Sequence, residues 1–334
     1  MTIPRYHLDD FAGRRVLITG GAGMIGSTIA HALVKRGAEV TIFDAMLPQY
    51  GGRNFNLTGI EDRVRMVRGD VRERARLAPL VVDVDTIFNL AAQVSYIRSN
   101  EDPWFDLDIN CRGQLNLLDA CREAGGGQRI IFASSRFVYG EIDYNPVDER
   151  HPFNCQSIYG IHKLAAEKYH RYYHLTHGLR TVSLRFANPY GPRQQMQHSL
   201  YGIVNWFVRL ALEGRELTVY GDGNQKRDYI FVEDIAEASL AVALLAPFEG
   251  EVYNVGCGTG TPFREMAACV AAAVPGTRVV SAPWPAKRVL YETGDYISDI
   301  TRLRKLTGWQ PTHSLTDGVA RTVAYYRQHR AQYW

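Results

Sequence analysis

The chain of 334 residues lacks a cysteine framework. Its five cysteines (Cys111, Cys121, Cys155, Cys257, Cys269) are odd in number, widely spaced and never CxxC, which argues against a disulfide scaffold or a zinc module. No apolar run approaches the roughly 18 residues of a membrane span. The opening MTIPRYHLDDFAGRR is polar and carries acids, unlike a secretory signal. A dominant charge is missing as well. Lys+Arg 38 against Asp+Glu 35 leaves +3, and the arginines are scattered, which argues against a basic nucleic-acid face. Repeats and low-complexity linkers are absent. These absences predict a soluble cytoplasmic protein with reduced thiols, no metal, no nucleic-acid partner and no membrane.

What is present is an ordinary globular balance, 46% hydrophobic and 22% charged, in a chain long enough for two lobes. Short β-branched runs alternate with helical patterns in the first half. Strands are expected at 15–19, 39–43, 64–67, 86–89, 129–133 and 181–185, and helices at 27–36, 103–124 and 157–176. The alternation predicts an α/β fold with a Rossmann-type, doubly wound parallel sheet. After residue 186 the pattern mixes short strands near 217–220 and 251–255 with helices at 201–213, 233–246, 262–273 and 314–329. This part reads as a smaller α+β lobe that interleaves with the first. The expected division is residues 1–185 for a dinucleotide and 186–334 for a substrate, with a cleft between them.

Thr19-Gly20-Gly21-Ala22-Gly23-Met24-Ile25-Gly26 lies between the first strand and a helix. Gly21, Gly23 and Gly26 satisfy GxGxxG, while Gly20, Gly23 and Gly26 give GxxGxxG. Such glycines permit a tight turn, close approach of backbone to a pyrophosphate and packing of helix on strand. The helix N-terminus then offers free N–H groups to the phosphates. About 20 residues on, Asp44 ends the second strand, where a carboxylate accepts from adenosine ribose hydroxyls and repels a 2′-phosphate. NAD is therefore expected rather than NADP, with Arg53 the nearby cation that a 2′-phosphate would need. Tyr159 and Lys163, four apart in YGIHK, share one helix face. An ammonium beside a phenol favours phenolate and makes Tyr159 a usable acid and base.

TGGAGMIG, Asp70 after the third strand, NLAAQ (89–93), SSRFVYG (134–140), YGIHK and RDYIFVEDI (227–235) together resemble the extended short-chain dehydrogenase/reductase family. Within it the chain looks like the nucleotide-sugar epimerase/dehydratase group, over nearly its whole length. The resemblance implies Tyr159 as catalytic base, Lys163 holding the nicotinamide ribose, and Ser135 bonding the reacting hydroxyl, with Ser134 the neighbouring alternative. It places Gly20, Gly23, Met24, Ile25, Gly26 and Asp44 against the cofactor, together with Asp70 and Val71. Leu90, Ala91, Ala92, Gln93, Asn110 and Phe186, with Tyr159 and Lys163, complete that set. On the substrate side it implies Ser135, Tyr159, Asn188, a diphosphate clamp by Arg227, and Arg288 (or Lys287) for the arginine missing near Glu292.

Dehydratases of the group carry an acidic pair after the position of Ser135, and decarboxylating members a Glu before the VYG valine. Arg136 and Phe137 stand there instead. The resemblance then implies epimerisation of a nucleotide diphosphate sugar, a UDP-sugar favoured, at C4, by oxidation to a keto-sugar and hydride return on the opposite face. A CDP-sugar 2-epimerase, on the strength of Trp206-Phe207, or another NAD-dependent nucleotide-sugar oxidoreductase is the alternative. An NAD-sensing binding protein is the non-enzymatic one. Trp206 and Phe207 fit either nucleotide stacking or a plain core. A homodimer through 103–124 and 157–177 is implied.

Overall fold

The computed structural model describes residues 8–284 and 294–334. The sequence's β-branched runs form β1 (Arg15–Thr19), β2 (Glu39–Asp44), β3 (Val64–Arg68), β4 (Thr86–Asn89), β5 (Arg129–Ser135) and β6 (Arg180–Phe186). Beyond β6 come β7 (Asn188–Tyr190), β8 (Leu217–Tyr220), β9 (Lys226–Arg227), β10 (Tyr229–Phe231) and β11 (Glu249–Val255). The main sheet has the order β11-β6-β5-β4-β1-β2-β3 and every pairing in it is parallel. Strands such as Val16–Ile18 and Ile130–Phe132 are buried on both faces because helices cover both sides. The last strand of the sheet comes from residue 249 onward, so the chain returns to the first lobe after leaving it.

Helix α1 (Met24–Lys35) follows β1, and α2 (Arg74–Val81) follows β3. The expected helix over 103–124 is interrupted. After α3 (Tyr96–Glu101), α4 (Pro103–Leu107) runs into a π-helical turn, Asp108–Arg112, before α5 (Gly113–Glu123). π-turns concentrate at functional sites, and this one turns Asn110 inward. Helix α6 (Ile158–His177) is capped by Ser157, whose hydroxyl accepts from Gly160 N, and ends on Gly178 at φ 68°.

The smaller lobe contains α7 (Ile203–Leu212), three two-stranded ribbons and α9 (Phe263–Ala273). The ribbons pair β7 with β10, β9 with β12 (Thr261–Pro262), and β8 with β13 (Val279–Ala282). Its core joins Val204, Phe207, Val208, Val219, Met266 and Val323. Helix α8 (Val232–Leu245) packs instead against α1, beside the main sheet. No described helix is long and apolar enough to cross a membrane.

Candidate active site

Strand order reverses between β1 and β4, so their carboxyl ends leave a crevice, where ligands of open α/β sheets bind. A cleft of about 930 Å³ opens there and extends to the smaller lobe. The glycine loop forms its floor. Gly20 has φ 69°, and a Cβ on it would stand 2.9 Å from Ala91 N, so β1 and β4 turn past each other only without a side chain. A Cβ on Gly26 would lie 2.3 Å from Gly20 O. The cradle is therefore bare backbone, and it fits a pyrophosphate.

Asp44 is buried at the end of β2. Its carboxylate accepts from Ala22 N at 3.0 Å and Met46 N at 2.7 Å, which ties β2 to the glycine loop. Burial raises its pKa and those two N–H groups oppose the shift. Arg53 points elsewhere, donating to Gln332 O at 2.9 Å and lying over the Tyr333 ring. Asp70 lines the cleft, but its carboxylate forms a two-pronged pair with Arg72 at 2.8–2.9 Å. Met24, Ile25, Val71, Leu90, Ala91, Ala92 and Phe186 line the same cleft.

Gln93 and Asn110 do not line it. Gln93 donates to Asp106 Oδ2 at 2.6 Å and Asn110 to the same oxygen at 3.0 Å. Asp106, fully buried, also meets His162 Nδ1 at 2.6 Å. As built, both amides brace α4 and the π-turn beneath α6 rather than face the cofactor crevice.

Tyr159, Lys163 and Ser135 meet at the middle of the cleft. Gly160 makes this possible, since a Cβ there would sit 2.4 Å from Phe137 O and push α6 off the turn after β5. Ser99 Oγ accepts from Tyr159 N at 3.0 Å, and Ser135 lies near enough to the phenol to favour its ionised form. The expectation that Lys163 lowers the phenol does not hold in the chain alone. Burial dominates and raises the Tyr159 pKa, nearby Ser135 pulls it down, and Asp106 adds to the rise. Lys163 is 2% exposed and burial lowers it to about 8, against the pull of Asp106 and Glu167. Its ammonium sits over the Phe132 ring at 4.4 Å, and among the described residues nothing hydrogen-bonds it. A buried ammonium aimed into the cleft without an acceptor fits ribose hydroxyls.

The two serines are separated by their partners. Ser134 Oγ donates to Glu167, which is locked to Arg185 at 2.7–2.9 Å with both side chains 2% exposed. Arg185 in turn reaches Tyr139 Oη, so the VYG tyrosine is part of this buried network. Ser135 is left as the hydroxyl beside Tyr159.

On the far side, Asn188 and Arg227 line the cleft. Asn188 Oδ1 accepts from Arg136 Nε at 3.1 Å, and its amide donates to Asp228 O. Arg227 donates to Lys226 O and Gly294 O. Asp228 is fully buried and accepts from Cys257 N, Gly258 N and Ser298 N. Lys287, Arg288 and Glu292 lie outside the described residues. Trp206 and Phe207 do not line the cleft: Phe207 packs on Phe263 in the core, and Trp206 lies under Arg209. The aromatic walls come from residues that no motif marked, namely Tyr50, Tyr96, Tyr220 and Trp284, the last two 5.8 Å apart. They come from a 3-10 turn (Tyr50), the first residue of α3 (Tyr96), the end of β8 (Tyr220) and a loop (Trp284), with no shared periodicity to flag them.

Fold and site define a dinucleotide-binding enzyme of the short-chain type, and the chain belongs to the NAD dependent epimerase/dehydratase family, whose model matches residues 16–256. It is 36% identical over 320 residues to the UDP-glucose 4-epimerase of Mycolicibacterium smegmatis, covering 94% of this chain and 98% of that protein. The UDP-glucose 4-epimerase of Thermotoga maritima, solved with UDP-glucose, superposes with a TM-score of 0.86 at 30% identity, covering 95% of this chain and 99% of that one. The Thermus thermophilus UDP-glucose 4-epimerase, solved with NAD, gives 0.82 at 34%, covering 94% and 99%.

Proposed function

We propose that the protein is an NAD-dependent nucleotide-sugar epimerase acting at C4 of a UDP-sugar. The observation that carries this reading is the Ser135–Tyr159–Lys163 group set in the crevice, with Arg136 and Phe137 where a dehydratase needs acids. The M. smegmatis and T. maritima relatives are both named UDP-glucose 4-epimerases, which supports it.

The chain's own residues divide the work. The glycine loop takes the pyrophosphate on Gly20, Gly23 and the α1 N-terminus, and Asp44 takes the adenosine ribose. Lys163 gives its ammonium to the nicotinamide ribose. Asp70, Val71 and the Leu90–Ala92 turn enclose the cofactor's remaining edges. When bound, NAD supplies a reversible hydride acceptor, and return to the opposite face of the keto-sugar inverts the carbon. Tyr159 takes the proton of the sugar hydroxyl and gives it back, with Ser135 bonded to both oxygens. Lys163, together with the positive charge that a bound oxidised cofactor would bring, would offset the burial that holds the phenol protonated in the chain alone. Arg227 holds the diphosphate on the smaller lobe's side.

Residues 1–185 then serve the cofactor and 186–334 mostly the sugar nucleotide. A homodimer is inferred from exposed Trp104 on α4 and exposed Ile161, Tyr172 and Leu175 on α6. Five unpaired cysteines accord with a reducing cytoplasm.

The test is incubation of purified protein with UDP-glucose, UDP-glucuronate and CDP-sugars without added NAD, with products separated by chromatography. A C4 epimer is expected with no net NADH. Consumption of NAD(P)H with no epimer overturns the reading, and a C2 epimer moves it to the CDP-sugar branch.

A further inference from the structure

The two lobes also meet away from Ser135 and Tyr159, beside Asp44. After β2 the chain runs through residues 45–52, of which Leu47, Tyr50, Gly51 and Gly52 line the cleft. The stretch leading into α7 lines the same cleft with Gln194, Gln195 and Tyr201. Both ends of the 45–52 loop are tied to the cofactor lobe. Met46 N donates to Asp44 Oδ1 at 2.7 Å, and Asn56 Nδ2 donates to Gly51 O at 3.1 Å. The tip of the loop is tied to the other lobe instead. Gln49 O accepts from His198 Nε2 at 2.9 Å and from Tyr201 Oη at 3.2 Å, so both lone pairs of one carbonyl are filled from the smaller lobe. These donors are held in advance. Gln195 is 2% exposed and gives its Nε2 to His198 O at 3.1 Å and to His198 Nδ1 at 3.2 Å, while its Oε1 accepts from Gln197 N at 2.8 Å. The carbonyl of Gln49 can only accept, so Nε2 of His198 carries the proton and Nδ1 accepts from Gln195. The His198 and Tyr201 rings pack edge to face with centroids 5.2 Å apart, which sets the two donors side by side.

We propose that His198 and Tyr201 are positioning residues that latch the 45–52 loop to the smaller lobe and so retain NAD in the cleft between turnovers. The latched loop starts directly after Asp44, the acceptor for the adenosine ribose, and the closure depends on a single carbonyl. Two ordinary hydrogen bonds hold it, so it can open without unfolding either lobe. The reason for retention rests on the epimerase reading above. Loss of the cofactor between the two hydride transfers would strand a keto-sugar and end the cycle, whereas an enzyme that releases a reduced cofactor in every cycle gains from an open cleft.

The experiment follows exchange of bound NAD for isotopically labelled NAD on the purified holoenzyme, without any sugar, by mass spectrometry of the extracted cofactor. Tyr201→Phe, which loses one hydroxyl, is expected to exchange about fivefold faster than wild type. The double variant with His198→Ala should exchange on the order of 30-fold faster, as loss of one and of two net hydrogen bonds does. His198→Gln, which still offers an N–H to Gln49 O, should recover part of the loss seen in His198→Ala. Val208→Ala separates the latch from general stability, because Val208 is fully buried in the smaller lobe's core and does not line the cleft. It should lower the melting temperature and leave exchange at the wild-type rate. Exchange at the wild-type rate in Tyr201→Phe and in the double variant overturns the inference, and so does equal acceleration in Val208→Ala. No sugar enters the measurement, so failure to epimerise overturns the reading of the reaction while the latch stands or falls on exchange alone.

Discussion

The two ends of the cleft are built from different materials. The end proposed for the cofactor is floored by backbone, with Gly20, Gly23 and Gly26, the α1 N-terminus and the turn at Leu90 and Ala91, to which Asp44 and Lys163 add side chains. The end proposed for the sugar is side chain: Ser135, Arg136, Tyr159, Asn188, Arg227, Tyr220 and Trp284 line it. Backbone sites tolerate almost no substitution, because the added atom has nowhere to go. Side-chain sites change specificity while the fold stands. The family's shared cofactor and varied sugars follow from that division of labour.

The largest expected effect separates chemistry from both ends. Tyr159→Phe removes the proton carrier alone, so turnover should fall about a thousandfold or more while NAD content and melting temperature barely move. Single-turnover epimerisation and the absorbance of extracted cofactor check it. A variant that lost NAD along with activity would mean that the phenol belongs to the cofactor end.

Next in size is a break confined to the backbone end. Gly26→Ala puts a Cβ 2.3 Å from Gly20 O and 2.7 Å from Gly21 Cα, both backbone atoms that cannot swing away. Purified protein should carry less than about a tenth of the wild-type NAD, since close approach of loop and helix is what the glycine provides. Gly127→Ala, whose Cβ meets nothing within 4 Å, is the control and should keep its NAD. Retention of cofactor by Gly26→Ala would show that side chains such as Asp44 carry that end after all.

The same contrast explains what could be read from the residues alone. Glycine spacing, strands such as Arg15–Thr19 and Thr86–Asn89, and the helix bearing Tyr159 and Lys163 were legible because local pattern determines them. Helix α2 was not, for it holds Pro79 and has little amphipathic character. The π-turn at Asp108–Arg112 was not, because it depends on Asp106 gathering Gln93, Asn110 and His162 from three segments. Gln93 and Asn110 were placed on the cofactor by resemblance, yet burial turned them into braces. At the other end of the cleft Tyr220 and Trp284 meet only through the pairing of β8 with β13, and Trp206, which its sequence left open between stacking and core, faces Arg209.

The smallest expected effect tests how the backbone end is supported from below. Asn89 accepts from Thr19 Oγ1 at 3.0 Å and donates to Gln114 Oε1 at 2.6 Å. Thr19 Oγ1 in turn accepts from Leu90 N and Ala91 N, fixing the turn that borders the cofactor. Behind Asn89 lies His170, fully buried and stacked on Phe132. Its Nδ1–H donates to Ala166 O at 2.8 Å, which leaves Nε2 to accept from Asn89 Nδ2 at 3.3 Å. Burial, opposed by the Ala166 bond and aided by Lys163, lowers its pKa from 6.5 to about 4. A protonated Nε2 would face a donor. With the folded value below the unfolded one, the unfolded chain binds more protons between those pH values. The stabilisation is full above pH 6.5 and is lost as pH falls toward 4, about 2 kcal/mol of it by pH 5. Urea midpoints at pH 7.5 and 5 should show that loss, and His170→Gln, which still offers an acceptor to Asn89, should flatten it. His31 and His198, also lowered by burial, leave a smaller slope in the same direction. An unchanged pH slope in His170→Gln would remove His170 from the support of this turn, leaving Asn89, Thr19 and Gln114 to hold the cofactor end alone.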